Sequence, residues 1–132
     1  MKVRDLMSTN VATVGRNDTL TLADDLMTSK RIRHLPVLEE GRLVGIVSQR
    51  DLFHAGLSTA MGFGQKAQKD FLVTVPVKEV MVDEVVTIGP DDDAKAAAGK
   101  MLDLKIGCLP VVENGKLIGL LSESDLLRVI AG

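Results

Sequence analysis

The chain has 132 residues, of which 45% are hydrophobic and 26% charged, as in an average soluble globular protein. The net charge is −2 and aromatic residues are only 2% of the sequence, which disfavours nucleic-acid binding, because that function uses basic patches and stacking rings. The single cysteine, Cys108, excludes an internal disulfide framework, and no window is apolar enough to span a membrane. We therefore expect a cytoplasmic protein with an aliphatic core.

The first part of the chain predicts a strand, a helix and a hairpin. Residues 11–14 form a short apolar, β-branched run that is typical of a strand. Residues 19–30 carry an N-cap candidate followed by apolar residues at helical spacing, which predicts a helix. The apolar runs at residues 35–38 and 43–47 are separated by a Glu-Gly turn and predict a hairpin. A second helix is expected to begin at Ser48.

The same order of elements occurs a second time. When Val3 is set against Val77, the two halves align without a gap, and roughly a third of the paired positions are identical, which indicates an internal repeat. The second copy predicts a strand, a helix, a hairpin of two strands and a final helix, at residues 85–88, 92–104, 109–112, 117–121 and 122–130.

A linker joins the two copies. Residues 58–76 are rich in Gly, Ser, Ala and Gln, and residues 65–72 are compatible with a helix. Residues 62–67 fit the pattern G-x-G-x-x-A, but the residues before them are poor strand material. A dinucleotide-binding fingerprint needs a strand that leads into the glycine turn, so we do not expect one here.

The most specific feature of each copy is an apolar strand that leads directly into a helix. Ser48 and Asp51 stand at this junction in the first copy, and Ser122 and Asp125 stand there in the second. The pattern Ser-x-x-Asp before an apolar run is also typical of a capping box, in which both side chains bond to the backbone at the helix start. The capping role and a ligand-binding role are compatible with each other.

These motifs together identify a family. The two β-α-β-β-α copies each carry a Leu-Pro-Val strand, a Gly-x-Leu-x-Gly turn and strand, and a Ser-x-x-Asp helix start. The combination resembles a tandem CBS-domain module, also called a Bateman module, over residues 3–54 and 77–131. The resemblance implies an α/β (α+β) fold of two CBS repeats packed with pseudo-two-fold symmetry, in which residues 1–57 and 77–132 are the repeats and residues 58–76 the linker.

The resemblance also implies a function. Such modules bind an adenosine-containing ligand, such as AMP, ADP or ATP, in a cleft between the repeats, regulate another protein and form homodimers. A carboxylate accepts hydrogen bonds from the two ribose hydroxyls, which suits Asp51 and Asp125. Ser48 and Ser122 would contact phosphate or ribose at the helix starts. Arg50 would add a cation beside the phosphate.

The two predicted sites are not equivalent. The resemblance implies that Arg33 and His34 line the phosphate end of the cleft, although a solvated cation and a half-buried side chain are equally compatible with these residues. Their counterparts, residues 107–108, carry no charge. The counterpart of Arg50 is Ser124. One cleft is therefore expected to take a less charged ligand or to stay empty.

Apolar residues ahead of the first long helix of each copy complete the predicted site. The resemblance implies that they contact adenine, whereas plain core packing is the simpler interpretation for most of them. These residues are Met7, Val11, Ala12, Val85 and Val86, with Met81 as the counterpart of Met7.

Other functions are less well supported by the sequence. Cys108, His34 and His54 do not have the tight spacing of a structural metal site. No nucleophile and base stand in an interpretable pattern, so we do not expect an enzyme. The main alternative is an interaction module whose clefts have lost their ligands and whose apolar helix faces form an oligomer interface.

Overall fold

The structure is a computed structural model that describes residues 1–60 and 72–132, with side chains described for residues 1–56 and 72–132. The G-x-G-x-x-A stretch lies outside the described residues. The helix predicted at residues 65–72 also lies outside them, except for its last residue, which is helical.

The described elements follow the order expected from the repeat. They are α1 (Val3–Leu6), β1 (Val14–Gly15), α2 (Leu20–Lys30), β2 (His34–Glu39), β3 (Arg42–Ser48), α3 (Gln49–Ala60), a 3-10 turn (Val77–Glu79), α4 (Ala94–Leu104), β4 (Cys108–Glu113), β5 (Lys116–Ser122) and α5 (Glu123–Ala131). One sheet has the order β1-β2-β3, with β1 parallel to β2 and β2 antiparallel to β3. The other described sheet is the antiparallel pair β4-β5. The α+β class is therefore confirmed.

Both hairpins turn through residues with positive φ. Glu40 and Gly41 have φ of 51° and 79°, and Asn114 and Gly115 have φ of 52° and 79°. Positive φ at both central residues matches the twist of the flanking strands, which makes such two-residue turns common in hairpins. Glycine at the second position avoids the steric cost that a Cβ meets there. The predicted hairpins are confirmed, and each strand is slightly longer than its apolar run.

The two long helices ahead of the hairpins begin at side-chain caps. Thr19 Oγ1 accepts a hydrogen bond of 3.3 Å from Leu22 N at the start of α2. Asp93 caps α4 in the same way, with Lys95 N donating to Oδ1 over 3.1 Å. The α4 helix begins later than predicted, because Asp92 instead accepts from Gly89 N in the preceding turn.

The strand predicted ahead of the first long helix in each repeat is wrong in its length. β1 has only two residues, Val14–Gly15, and Ile88 makes a single parallel bridge with Val111. The physical reason is that the chain changes sheets here. Ser8 bridges to Leu120 of β5, whereas Val14 pairs with β2, so the residues between them leave one ladder before they join the next.

The chain divides into two compact units that differ from the sequence repeats. The first unit is Ala12–Val85, and the second unit combines Met1–Val11 with Val86–Gly132. Each unit therefore contains the strands and long helices of one repeat together with the first residues of the other repeat. We call these first residues, 1–11 and 77–85, the leading segments.

Backbone hydrogen bonds and buried side chains hold each leading segment in place. In the first unit, Val77 N donates to Asp18 O over 2.7 Å. In the second unit, Val3 N donates to Asp92 O over 2.9 Å. Val77 and Val3 are both 0% exposed, so each fills a core position in the unit that receives it.

A methionine of each leading segment lies directly against a strand glycine. A Cβ added to Gly45 would lie 2.5 Å from the Sδ atom of Met81, and one added to Gly119 would lie 2.6 Å from the Sδ atom of Met7. Real Cβ atoms do not approach sulfur so closely, because the van der Waals radii forbid it. The second glycine of the Gly-x-Leu-x-Gly motif, which is Gly45 in the first repeat and Gly119 in the second, is therefore explained by close packing.

Each unit has an aliphatic core, as the composition predicted. The buried core of the first unit is Val14, Leu20, Ala23, Met27, Leu35, Val37, Val47, Leu52 and Val77. The buried core of the second unit is Val3, Ile88, Ala97, Met101, Leu109, Val111 and Leu121. Among the helices of the described ranges, none is both long enough and apolar enough to cross a membrane.

Candidate functional site

The first candidate site is the junction between β3 and α3, which we call the first junction (Ser48–Asp51). Ser48 N donates to Asp51 Oδ2 over 2.8 Å, and Asp51 N donates back to Ser48 Oγ over 3.1 Å. These reciprocal bonds form a capping box, which satisfies two backbone N–H groups that a helix start leaves without partners. The capping box, which the Ser-x-x-Asp pattern predicted as one role of these residues, is therefore observed at the first junction.

The second junction (Ser122–Asp125), between β5 and α5, has the same box with further bonds. Ser122 N donates to Asp125 Oδ2 over 2.9 Å, and the Ser122 hydroxyl donates to the same oxygen over 3.1 Å. Arg128 Nη1 donates to the other oxygen, Oδ1, over 2.6 Å. The Asp125 side chain is only 5% exposed. Both of its carboxylate oxygens are therefore engaged.

The corresponding carboxylate of the first junction is more open. Within the part of the chain that the structure describes, Asp51 Oδ1 has no hydrogen-bond partner, and the residue is half-buried. The position three residues further along α3 is His54, where the second junction has Arg128. His54 is bonded to another residue, because its Nε2 accepts from Arg50 Nε over 3.3 Å. Among the described residues, Asp51 therefore has one carboxylate oxygen that the cap does not use.

The start of β2 lies beside the first junction. Gln49 N, the first N–H of α3, donates to the Arg33 carbonyl oxygen over 2.8 Å. His34 pairs with Ser48 across the β2–β3 ladder. The structure thus brings together most of the polar residues that the sequence predicted for this site. Arg33 and Arg50 are both exposed.

The second junction has the same backbone geometry with different side chains. Glu123 N donates to the Gly107 carbonyl oxygen over 3.0 Å, and Cys108 pairs with Ser122. Burial, with a smaller contribution from the charge of Glu123, raises the pKa of the Cys108 thiol to about 12. Cys108 is therefore a neutral thiol at physiological pH and behaves as a small apolar core residue.

The apolar site residues are divided between the two units. Met7, Val11 and Val86 belong to the second unit, whereas Ala12 and Val85 belong to the first. All five are half-buried. Core packing is observed for Met7 and Val86, which lie against the core of the second unit, and for Ala12, which lies against that of the first. Contact of these residues with adenine stays a prediction.

Two positions at each junction were not singled out in the sequence. One is the helix residue after the serine, Gln49 or Glu123. The other lies three residues after the aspartate, where His54 and Arg128 differ. The signal for the second position was the helical i,i+3 spacing, which places a side chain beside the carboxylate. No cluster of three or more His, Cys, Asp or Glu side chains suited to a metal ion occurs within the described ranges.

Comparison with known proteins identifies the family. A model of the CBS domain matches residues 3–58 and 77–132. The chain belongs to the CBS domain family. The CBS domain-containing protein YhcV of Bacillus subtilis is 35% identical over 124 residues, which are 94% of this chain and 81% of that protein.

Two further similar proteins show different settings for a CBS pair. The homoserine O-acetyltransferase of Methanococcus vannielii is 32% identical over 130 residues, which are 97% of this chain but only 24% of that enzyme. The CBS domain pair of protein MJ0100, solved in complex with 5′-methylthioadenosine and S-adenosyl-L-methionine, is 26% identical, with a TM-score of 0.81. That match covers 100% of this chain and 97% of that chain.

Proposed function

We propose that this chain is a regulatory CBS module that binds an adenosine-containing ligand such as AMP, ADP or ATP at the first junction. The observation that carries the proposal is the half-buried carboxylate of Asp51, which uses one oxygen for capping and has no partner for the other in the described part of the chain. A ribose presents two vicinal hydroxyls as donors, and Asp51 Oδ1 is an acceptor of the required kind.

The surroundings of Asp51 suit the rest of such a ligand. The first turn of α3 carries N–H groups and a positive end of the helix dipole, which favour an anionic group. Arg50 and Arg33 are both exposed cations. Arg50 is the second residue of α3, and the Arg33 carbonyl oxygen accepts a hydrogen bond from Gln49 N at the start of that helix. The relative MJ0100, with its two adenosine-derived ligands, supports adenosine as the common part of the ligand.

Regulation follows only if the ligand favours one of two states of the protein. A ligand that binds both states equally shifts no equilibrium, however tightly it binds. We therefore propose that ligand binding biases the arrangement of this module and, through it, the activity of another protein. The location we propose is the cytoplasm, where a single thiol such as Cys108 stays reduced.

Thermal unfolding with a panel of ligands tests the proposal. A ligand at 100 times its dissociation constant stabilises the folded state by about 2.7 kcal/mol, which raises the melting temperature measurably. We expect this rise with at least one member of a panel of AMP, ADP, ATP, 5′-methylthioadenosine and S-adenosylmethionine. Asp51→Asn should strongly reduce it, because the amide has a single acceptor oxygen, which the cap with Ser48 N uses, and its NH₂ group cannot accept from the ribose hydroxyls.

Asp18→Asn is the matched control. Asp18 accepts a similar bond in the same unit, with Gly15 N donating to its Oδ2 over 2.7 Å, but it lies outside the proposed site. This variant should keep the full ligand response. An unchanged melting temperature of the wild-type protein with every ligand at millimolar concentration would reject the proposal.

A second candidate function is assembly, which the exposed apolar residues of α5 favour. Leu127 is 61% exposed and Ile130 is 85% exposed, and their i,i+3 spacing puts them on one helix face. We propose a homodimer that uses this face. Analytical ultracentrifugation of Leu127→Ser with Ile130→Ser should give monomers where the wild type gives dimers. Dimers that persist in this variant would exclude the face, and dimers that ignore every ligand would favour assembly over ligand sensing.

A further inference from the structure

The two junctions share their backbone geometry but differ in charge. The differences fall at five aligned positions around each helix start. They are Arg33 and Gly107, His34 and Cys108, Gln49 and Glu123, Arg50 and Ser124, and His54 and Arg128, the first of each pair belonging to the first junction.

The first junction has an excess of cations. Arg33 and Arg50 are exposed, and the only carboxylate of the junction is Asp51. The Arg33 backbone is bonded to the first N–H of α3, so its side chain starts beside the helix N-terminus. A phosphate here meets two exposed guanidinium groups as well as the positive end of the helix dipole. The Arg50 group donates through Nε to His54, and its terminal nitrogens have no partner among the described residues.

The second junction has an excess of carboxylates. Glu123 is the first residue of α5 and Asp125 follows in the same turn. The only arginine of this junction, Arg128, is bonded to Asp125 Oδ1. A phosphate in this position meets two negative charges and no unengaged arginine of the junction.

We infer that the two junctions sort adenosine ligands by charge, so that the first junction binds phosphorylated ligands and the second rejects them and takes only an adenosine ligand without phosphate. This inference rests on the proposed function and adds the ligand class of each site. A ligand at the second junction displaces the Arg128 guanidinium from Asp125 before its ribose is bound. The second site is consequently the weaker of the two.

Isothermal titration calorimetry of the full chain with AMP and with adenosine tests the inference. AMP should bind to one site per chain. The double variant Arg33→Ala with Arg50→Ala should weaken AMP binding by at least about tenfold, because both phosphate partners are lost. It should change adenosine binding by less than about twofold, since the ribose acceptor Asp51 is unchanged.

A charge graft provides the converse experiment. Glu123→Gln with Ser124→Arg gives the second junction the residues of the first at these positions. AMP should then bind at two sites per chain. The matched control is Asp25→Asn with Thr28→Arg, which makes the same change in charge on exposed positions of α2. This control should keep one AMP site, and circular dichroism of all variants should match the wild type.

The outcomes separate this inference from the proposed function. Two equivalent AMP sites in the wild type, or unchanged AMP affinity after loss of both arginines, would overturn the charge sorting and leave adenosine binding intact. Failure of the graft to add a site would also count against it. If neither AMP nor adenosine binds to the wild-type chain, the proposed function and the inference both fail.

Discussion

The two junctions have the same fold, and a comparison of them separates the residues that the fold requires from the residues that can change. In both repeats, the strand before the junction has a glycine packed against a methionine of the leading segment. Both junctions have a serine and an aspartate in a capping box. The charged residues around the box differ almost completely. Since the backbone bonds are the same, the difference in chemistry cannot come from the fold. The glycine, serine and aspartate shared by both copies therefore pack and cap in each unit, and we propose that the residues that differ set the ligand preference of each junction.

The largest expected effect concerns the strand glycine that both repeats share. Gly45→Val and Gly119→Val should each lower the free energy of unfolding by about 3 kcal/mol, because the new side chain overlaps a methionine sulfur and a backbone oxygen. A Cβ would lie 3.1 Å from Val82 O at the first position and 3.0 Å from Ser8 O at the second. Urea denaturation measures this.

Gly99→Ala is the control for the glycine variants. Gly99 lies in α4, and a Cβ there meets nothing within 4 Å. The change should stabilise the protein by about 0.5 to 1 kcal/mol, because alanine is the better helix former. Losses below about 1 kcal/mol at Gly45 and Gly119 would contradict the close packing of the leading segments.

A smaller effect should separate the two aspartates. Asp125→Ala removes a buried carboxylate that accepts from Ser122 and Arg128, and we expect a loss of about 2 kcal/mol in the free energy of unfolding. Asp51→Ala removes only the capping bonds of a half-buried residue, and we expect about 1 kcal/mol. The same denaturation experiment compares them. A greater loss at Asp51 would reverse our description of which carboxylate is the more engaged.

The residue three positions after the aspartate is His54 in the first junction and Arg128 in the second, and replacing it tests why the two carboxylates differ. His54→Arg places a guanidinium three residues after Asp51, as Arg128 stands after Asp125. We expect it to weaken adenosine binding at the first junction by about fivefold, because the ligand must displace the new ion pair. Calorimetry measures the change. His54→Gln is the control, and equal affinities in the two variants would show that Asp51 Oδ1 does not bind the ligand.

The smallest effect concerns an ion pair that only the second unit has among the aligned positions. Arg4 Nε donates to Asp91 Oδ1 over 2.8 Å, whereas the counterparts of these residues are Lys78 and Asn17. The hydrogen bond and charge of Arg4 lower the pKa of Asp91 below its ordinary value of 3.8. The stabilisation is therefore present above that pH and lost as the pH falls through the lowered pKa.

Asp91→Asn tests this pH dependence. The wild type should melt slightly above the variant at pH 6, and the difference should vanish as the pH falls through the lowered pKa of Asp91. Salt at about 0.5 M should reduce the difference, since the pair is exposed to solvent. Asn17→Ala in the first unit should not reproduce the pH dependence. A difference between wild type and Asp91→Asn that persists at low pH would exclude the ion pair as its cause.

Most of the fold was predictable because its signals are local. The apolar runs of the hairpins, the two-residue turns and the caps of α2 and α4 depend on neighbouring residues. The exchange of the leading segments was not predictable, because Val3 and Val77 look alike and nothing local states which core receives each of them. At the site, the Ser-x-x-Asp pattern located both junctions. The engagement of Asp125 by Arg128 depends on side-chain geometry that spacing alone does not determine.

The exchanged leading segments have a consequence for fragments of the chain. Each unit takes a core valine, Val3 or Val77, from the leading segment of the other repeat, so neither repeat alone reproduces a complete unit. Fragments cut between the repeats should therefore be unstable alone and regain structure when mixed.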